Sequence, residues 1–414
     1  MKRIITLFKR AHTDSLYRNS LYLMASNYIM GFIGFFFWMI VTRLYSPQDV
    51  GLATTLISIT GLITSFSLFG FNTALVRFLP SSKNKNNMIN TAFTLIAIGS
   101  ILITLCFIAG LPLFAPRLLF IRTSPVFAIS FVVFMIIASL NAITDSVFIA
   151  ERDTKYIPIT YTLMSLVKLV LPVFLVSLGA YGIFYSFLFS VNVAMVLSIL
   201  LLTFLFGYKF IPGIDFKEVR KMWKFSFGNY LAGFFGGLPP MVIPLIITNT
   251  LGPKVTAYYF MPSMIITLLL AIPRSITQSL FSEGSFDENS LKQKSIKATK
   301  TILLILTPAV FAVIFLGKYI LLAFGKEYSS EGLVYLQLTT FSILISIPNY
   351  IIGVLLNVEK KIGAIVLLMA LSSISNIALT YLLLDRGLMG LGLAGIISQI
   401  ISTLLFITVF LYRN

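Results

Sequence analysis

Residues 181–206 have the sequence YGIFYSFLFSVNVAMVLSILLLTFLF. The stretch contains no charged side chain, and about 20 apolar residues are enough for a helix to cross the hydrocarbon core of a membrane. Similar stretches recur along the whole chain and predict about twelve transmembrane helices. We place these spans at residues 18–42, 51–73, 89–111, 125–149, 157–178, 181–206, 225–249, 255–281, 300–324, 333–357, 362–384 and 388–412.

The composition supports lipid as the solvent for most of the fold. Of 414 residues, 58% are hydrophobic and only 11% are charged, whereas about a quarter of a typical soluble domain is charged. So few charges do not cover the surface of a soluble protein of this length. One cysteine, Cys106, and one histidine, His12, exclude an internal disulfide and a Cys/His zinc cluster. We therefore expect an all-α polytopic membrane protein that carries no metal or cofactor.

The basic residues indicate how the chain is oriented. The formal charge is +17, but the lysines and arginines lie in short connections between spans, which favours membrane topology over nucleic-acid binding. If the N-terminus is inside, 23 of the 31 basic residues lie on the cytoplasmic side and 7 on the other. Cytoplasmic loops carry the excess of Lys and Arg. We therefore expect both termini in the cytoplasm.

The spans fall into two groups of six. A basic connection at 207–224 follows the sixth span and divides the chain into an N-terminal lobe, 1–206, and a C-terminal lobe, 225–414. Both lobes begin with a span that has Asn-Tyr early, at 27–28 and 229–230, and that ends in a turn containing proline, Pro47 or Pro253. Transporters are often built from such repeats. We expect a two-half repeat.

The seventh span contains an unusual number of glycines and prolines. Gly236, Gly237, Pro239 and Pro240 lie within five residues, and a proline removes a backbone hydrogen bond and bends or breaks a helix. Two interpretations stay open. The segment is either a kinked helix used for packing or a hinge beside a central cavity.

Two ionisable residues are expected at membrane depth. Lys168 lies at the middle of its span, and Asp145 lies in the preceding span with Asn141 one turn away on the same face. A charge at this depth costs roughly 2.5 kcal/mol or more, so each requires a reason. Either Lys168 and Asp145 form a structural pair, or Lys168 faces a water-filled cavity and attracts an anionic substrate while Asp145 is a proton-linked group.

Four arginines are further candidates for binding an anion. Arg274 follows Pro273 in the eighth span, Arg77 and Arg18 lie at span ends near the cytoplasm, and Arg43 lies at the external mouth. For the first three, a basic side chain that reaches the membrane interface is the alternative explanation. Together with Lys168, the four arginines form a cationic path with few acidic neighbours, which favours a phosphate-bearing cargo over a cationic drug.

Three segments carry a resemblance to a known superfamily. They are VTRLYSPQDVGL at 41–52, FNTALVRFL at 71–79, and LGKY at 316–319 followed by FGKEY at 324–328. With these segments and the 6 + 6 arrangement, the chain resembles the polysaccharide-lipid flippases of the multidrug/oligosaccharidyl-lipid/polysaccharide (MOP) exporter superfamily, the Wzx-like exporters of O-antigen and teichoic acid.

The resemblance implies a fold and a function. Such proteins have two six-helix lobes in a V around a central cavity, and they move a polyprenyl-(pyro)phosphate-linked oligosaccharide from the cytoplasmic to the external leaflet of the cell membrane by alternating access. It also implies basic residues that bind the pyrophosphate, a role that would fall here on Lys168 and Arg274, with Arg77, Arg18 and Arg43 behind them. The expected partners are the lipid-linked substrate, membrane lipids and, as a further candidate class, polysaccharide-assembly proteins.

Two other functions were weighed. An ion-coupled multidrug or metabolite antiporter of the same superfamily is the main alternative, but it favours a carboxylate-lined cavity, and Asp145 is the only acid well inside a predicted span. A membrane-embedded glycosyltransferase or polymerase would need acidic and histidine groups on sizeable external loops. The predicted external loops are short, so we expect no enzyme.

Overall fold

The computed structural model describes residues 15–286 and 291–412, except for the side chains at 15–18, 20, 21, 25, 27, 28, 221, 224, 225, 285 and 286. Its ordered elements are all helices, with no β-strand in the described ranges. The chain divides into two compact units. The first unit contains Met1–Leu44 and Ile59–Tyr230, and the second contains Tyr45–Ser58 and Leu231–Asn414.

The first half of the chain provides eight α-helices. These are α1 (Ser15–Leu44), α2 (Pro47–Leu68), α3 (Phe71–Phe78), α4 (Lys85–Phe114), α5 (Phe120–Thr123), α6 (Pro125–Ala150), α7 (Tyr156–Phe174) and α8 (Ala180–Phe206). The first residues of α2 belong to the second unit and the rest of the helix to the first. Within the first unit, α7 packs against α1 and α8, and α6 packs against α4 and α8.

The second half provides the other eight. These are α9 (Phe216–Thr250), α10 (Pro253–Phe286), α11 (Leu291–Leu322), α12 (Lys326–Glu331), α13 (Leu333–Ile345), α14 (Ile347–Val358), α15 (Ile362–Leu382) and α16 (Gly387–Leu411). Helix α9 begins in the first unit and continues into the second. Within the second unit, α16 packs against α13, α14 and α15, and α10 packs against α11 and α14.

The described helices confirm the predicted membrane class. Eleven of them are long and apolar enough to cross a membrane, and there are twelve such spans if α13 and α14 form one span bent by 44°. The predicted tenth span, 333–357, is this bent pair. Many large apolar side chains are exposed, among them Leu113 at 83% and Phe204 at 79%, which fits a surface solvated by lipid.

Several elements recur in the two halves, although α3 has no separate counterpart. Helix α6 runs from Pro125 to Ala150 and the pair α13 and α14 runs from Leu333 to Val358, so both ends are shifted by 208 residues. The short 3₁₀ turns Val176–Leu178 and Leu384–Arg386 have the same shift. The glycines that follow them have similar backbone angles, with φ 55° at Gly179 and φ 58° at Gly387. These recurring elements fit a two-half repeat.

Helix α2 both begins and ends earlier than the predicted second span. The Ser46 hydroxyl accepts a hydrogen bond from the Asp49 amide at 3.2 Å and donates one to its carboxylate at 2.6 Å, a reciprocal cap before Pro47. The predicted second span, 51–73, is wrong at its end because the helix stops at Leu68. Gly70 has φ 81°, and a new helix, α3, follows it. Glycine adopts this left-handed conformation without steric cost.

The beginning of α2 packs closely inside the second unit. Gly51 approaches Pro253 so closely that a Cβ at this position would lie 1.7 Å from the Pro253 carbonyl oxygen. Next to it, the buried Thr55 and Thr248 hydroxyls are 2.5 Å apart, and Thr248 is hydrogen-bonded in turn to Thr256 at 2.7 Å. The conformation at the Pro47–Gly51 turn is therefore held by contacts that tolerate only glycine at residue 51.

The basic connection 207–224 has two structural parts. Its first residues are not helical, and Asn90 on α4 accepts a hydrogen bond from the Tyr208 hydroxyl at 2.6 Å and donates one to the Lys209 carbonyl at 2.9 Å. Burial raises the pKa of the Tyr208 hydroxyl. From Phe216 onward the connection is already the beginning of α9. The connection is therefore an ordered segment attached to the first unit.

Candidate functional site

The second unit encloses a cavity of about 770 Å³. This volume lies within the ~300–1,000 Å³ typical of small-molecule sites. Residues of α9, α10, α13, α14, α15 and α16 line the cavity, and two thirds of them are polar or glycine. The polar side chains that line it are those of Arg274, Thr339, Ser342, Ser346, Asn349, Tyr350, Asn357, Ser372, Ser373, Asn376, Ser398, Gln399 and Ser402.

Serine and asparagine recur at helical spacing on four of these helices, α13 and α14 forming one bent pair. They are Ser342, Ser346 and Asn349 along α13 and α14, Ser372 and Asn376 on α15, and Ser398 and Ser402 on α16. Residues three or four apart lie on the same face of a helix. Each helix therefore presents a short polar row to the cavity, within spans that are otherwise apolar.

The polar rows are connected by hydrogen bonds between helices. The Asn349 side-chain amide donates to the Ser402 hydroxyl at 3.1 Å, and Ser402 is hydrogen-bonded to Ser372 at 2.7 Å. The Asn376 amide donates to the Ser398 hydroxyl at 2.8 Å. Such bonds hold spans together in a membrane. They also fix the positions of the amides and hydroxyls that face the cavity.

One acceptor on a cavity-lining side chain has no hydrogen-bond partner. The Asn349 Oδ1 is buried and unsatisfied in the described structure. A buried polar atom without a partner costs roughly 1–3 kcal/mol. The Asn349 side chain lines the cavity, so this acceptor lies next to the space that a ligand would fill.

Arg274 is the one charged side chain among the described residues that line the cavity. It is exposed, on α10, one residue after Pro273. No carboxylate in the described part of the chain lines this cavity. The electrostatic environment is therefore neutral apart from one guanidinium, which binds phosphate or carboxylate through paired hydrogen bonds.

Lys168 belongs to the first unit and does not line this cavity. The side chain is 7% exposed, and its ammonium lies 5.0 Å from the centroid of the Phe37 ring and 5.8 Å from that of the Phe187 ring. These rings belong to α1 and α8, which pack on either side of α7. Aromatic faces stabilise a desolvated cation by about 2 kcal/mol or more. Lys168 is therefore a buried cation supported by aromatic rings.

The proposed pair of Lys168 and Asp145 does not form. No ion pair joins them among the described residues, and Asp145 instead accepts a hydrogen bond from the Tyr161 hydroxyl. Tyr161, the residue that contacts Asp145, lies two helical turns before Lys168 on α7. The backbones of the two residues are therefore about 10 Å apart along the helix. Asn141 is half-buried, one turn from Asp145 on α6. The interpretation of Lys168 and Asp145 as a structural pair is therefore wrong, because Asp145 contacts Tyr161 instead.

The remaining predicted arginines do not join either site. Arg77 is exposed at the last turn of α3, and Arg43 is exposed at the last turn of α1. The side chain of Arg18 lies outside the described residues. Among the predicted cations whose side chains the structure describes, Arg274 alone lines the cavity of the second unit.

The glycine- and proline-rich segment lines the cavity but does not break its helix. Gly236, Gly237 and Pro239 face the cavity, while Pro240 is exposed. Helix α9 continues through these residues to Thr250, so the expected break is absent. A bend of 44° occurs elsewhere, between α13 and α14, where Pro348 follows directly after the start of α14.

The repeat relates this cavity to a packed region of the first unit. With the shift of 208 residues, Asn349 corresponds to Asn141, Ser373 to Ser165, Asn376 to Lys168 and Ser398 to Ser190. The first unit fills the corresponding space with larger side chains. Met164 replaces Ser372 and Phe187 replaces Gly395, and these two residues belong to a hydrophobic cluster with Met30, Ala138, Val191 and Ala194.

Our sequence interpretation missed the amide and hydroxyl lining. Ser and Asn within a span are common as packing contacts, so single occurrences carried no signal. The signal that would have found them is the shift of 208 residues, because it aligns Asn376 with the already suspected Lys168 and Asn349 with the suspected Asn141.

A family comparison identifies the chain. Residues 40–331 match the family of polysaccharide biosynthesis proteins, and the protein belongs to that family. No protein of curated function matches this chain significantly.

Solved structures show the same fold. The chain aligns with an inward-facing multidrug resistance MATE family transporter of the MOP superfamily at a TM-score of 0.70 and 12% identity, over 95% of this chain and 98% of that one. It aligns with a MOP superfamily transporter from Pyrococcus furiosus, described by a binding pocket of reverse polarity, at a TM-score of 0.65 and 14% identity, over 96% and 95%. The resemblance drawn from the sequence is confirmed for family and fold, which together point to a multi-pass membrane transporter.

Proposed function

We propose that this protein flips a polyprenyl-(pyro)phosphate-linked oligosaccharide from the cytoplasmic to the external leaflet for the assembly of a surface polysaccharide or glycoconjugate. The observation that carries the proposal is the lining of the cavity in the second unit. Amides and hydroxyls surround it, Arg274 is its charged residue, and no described carboxylate lines it. This chemistry suits a ligand that combines hydroxyl groups with phosphate.

The task requires such an environment. Sugars and a pyrophosphate cross hydrocarbon at a high cost because their polar groups lose their hydrogen bonds to water. A polar cavity that opens to one side at a time shelters the head group, while the lipid chain stays in the bilayer. In the proposal the two compact units are the lobes of alternating access, and the segment from Gly236 to Pro240 is the hinge.

In the proposal the basic residues have separate roles in binding the substrate. Arg274 binds a phosphate group at the cavity of the second unit. Lys168 provides a second cation in the first unit, where its desolvation is tolerated because Phe37 and Phe187 contact the ammonium. Arg77, Arg18 and Arg43 attract the substrate at the ends of the spans. In the proposal both termini lie in the cytoplasm and the protein lies in the plasma or inner membrane, which the excess of basic residues on one side supports.

An ion-coupled multidrug or metabolite antiporter is the second candidate. The hydrogen bond between Tyr161 and the buried carboxylate of Asp145 favours it, because a carboxylate inside a span is the kind of group that carries protons in transporters. The fold shared with the MATE transporter is compatible with both functions, since one fold hosts several activities. The charge of the cavity lining is the observation that favours the flippase.

Deleting the gene tests the proposal. We expect loss of a surface glycan and accumulation of one polyprenyl-(pyro)phosphate-linked oligosaccharide, detected by mass spectrometry of the extracted lipids. The Arg117→Gln variant, at an exposed arginine outside both candidate sites, should restore export as well as the wild-type gene does. An unchanged lipid profile together with new sensitivity to ethidium would support the antiporter instead.

A further inference from the structure

We infer that the cavity of the second unit binds the uncharged sugar part of the substrate, selects it mainly by hydrogen bonds, and disfavours sugars that carry a positive charge. The inference rests on the proposed function and assigns a role to residues that the function alone does not assign. Within this cavity, Arg274 alone would bind the charged part of the substrate, because Lys168 belongs to the first unit.

The first step is the donor and acceptor pattern of the wall. A hydroxyl both donates and accepts a hydrogen bond, and an amide side chain offers one group of each kind. Asn349, Asn376 and Ser402 present such groups from three different helices. A sugar ring carries hydroxyls around its whole edge, so groups arriving from several directions match it better than groups on one face.

The second step is the unsatisfied acceptor of Asn349. The Asn349 amide nitrogen donates to Ser402, while Oδ1 is buried and has no partner in the described structure. A site with buried unpaired groups discriminates strongly, because a ligand without the matching hydroxyl leaves them unpaired.

The third step is the comparison of the two units. The repeat places Lys168 at the position of Asn376, and Phe187 at the position of Gly395. The first unit is therefore charged and filled where the second is neutral and open. A Cβ at Gly395 would have its nearest neighbours, the Thr339 side-chain atoms, at 3.9 Å. The small residue at this position therefore leaves room for a ligand beside Thr339.

The fourth step concerns charge selection. A sugar with a free amine would find no carboxylate among the described residues of the wall and would approach Arg274. Like charges in a low-dielectric site repel strongly. The cavity therefore disfavours amino sugars with a free ammonium and accepts neutral sugars.

The test compares three probes on purified protein in lipid nanodiscs by calorimetric titration. The probes are farnesyl pyrophosphate, the same lipid carrying a neutral disaccharide of glucose, and the same lipid carrying glucosamine. We expect the wild type to bind the glucose probe at least tenfold more tightly than the other two. Asn349→Leu and Asn376→Leu should each reduce this preference to less than threefold, with the Kd of bare farnesyl pyrophosphate within twofold of wild type.

Two further variants make the test independent of misfolding. Gly395→Phe introduces the side chain that the first unit has at the corresponding position and should remove the preference by filling the cavity. Asn192→Leu, on α8 in the first unit, is the matched control and should keep it. Elution as a single species in size-exclusion chromatography establishes that each variant is folded.

The outcomes separate the inference from the proposed function. Equal binding of sugar-bearing and bare lipid by the wild type, or a preference retained in Asn349→Leu, Asn376→Leu and Gly395→Phe, would overturn the inference and leave the flippase proposal standing. Failure of the wild type to bind any pyrophosphate probe would instead overturn the proposed function, and the inference with it.

Discussion

The ammonium of Lys168 lies 5.0 Å from the centroid of the Phe37 ring, and no carboxylate forms an ion pair with it in the described part of the chain. A buried cation costs stability unless it is paired or used. The rings of Phe37 and Phe187 offset part of that cost. The Lys168 ammonium is thus stabilised by aromatic rings and not by a carboxylate, as the proposed role in binding an anionic ligand requires.

The first prediction concerns Lys168 itself. Lys168→Gln should reduce export of the lipid-linked saccharide at least tenfold while the folded yield stays at the wild-type level, because the change removes the charge and keeps most of the stem. Lys168→Met, which keeps the apolar packing, should be as stable as the wild type or more stable. Surface glycan and detergent-extracted protein are measured in the same cells. Normal export by the glutamine variant would exclude a role in substrate binding.

The second prediction follows from the hydrogen bond between Tyr161 and Asp145. Because Lys168 is not the partner of Asp145, the double variant Lys168→Met/Asp145→Asn should have an effect on thermal stability equal to the sum of the two single effects, within about 0.5 kcal/mol. Tyr161→Phe combined with Asp145→Asn should deviate from additivity, since these two residues are in contact. Rescue of Lys168→Met by Asp145→Asn would indicate an interaction that the structure lacks.

The third prediction concerns Arg274. Arg274→Gln should weaken binding of bare farnesyl pyrophosphate by about tenfold, which corresponds to roughly 1.4 kcal/mol. The exposed position predicts no change in melting temperature. Arg274→Lys should recover only part of the affinity, because an ammonium lacks the paired donors of a guanidinium. Arg117→Gln is the control, and equal loss in that variant would mean that the effect is one of overall charge.

Much of the fold follows from composition along the chain. Apolar spans have a required length, so hydropathy located them well. The end of the second span was wrong because Leu68, Phe69 and Phe71 are all apolar, and the helices are separated only by the positive φ of Phe69 and Gly70. Hydropathy does not register a change of direction inside an apolar stretch.

The candidate site was less predictable. Charges in spans are rare, so Lys168 and Arg274 were visible in the sequence, but their partners depend on which helices pack together. Helix α7 packs against α1 and α8 more than against α6, which gives Lys168 aromatic neighbours and leaves Asp145 to Tyr161. The neutral wall around Asn349 requires several helices at once, and no single span reveals it.

The fourth prediction concerns the turn before α3. Gly70 has φ 81°, and a Cβ there would lie 2.9 Å from the Tyr230 Cβ and 3.0 Å from the Ser226 Cβ. Gly70→Ala should therefore lose more than the roughly 1–2 kcal/mol that a left-handed conformation costs any L-residue. Gly207→Ala has a similar φ of 64° but open space around it, so it should lose only that conformational part. Thermal unfolding in detergent measures both, and equal effects would exclude the steric contribution.

The fifth prediction concerns Glu327 at the start of α12. The Tyr258 hydroxyl donates a hydrogen bond to its carboxylate and the Lys254 ammonium lies 3.1 Å away, and both lower the pKa of Glu327. A carboxylate whose pKa is lower in the folded state stabilises the fold above its unfolded pKa, about 4.3, and loses that contribution as the pH falls through the folded value. Glu327→Gln should therefore lower the melting temperature slightly at pH 7, and the difference from wild type should shrink and vanish in acid. Glu331→Gln, on the same helix, is the control. A difference that grew as the pH fell would contradict the assignment of Glu327 as the anionic partner of Lys254 and Tyr258.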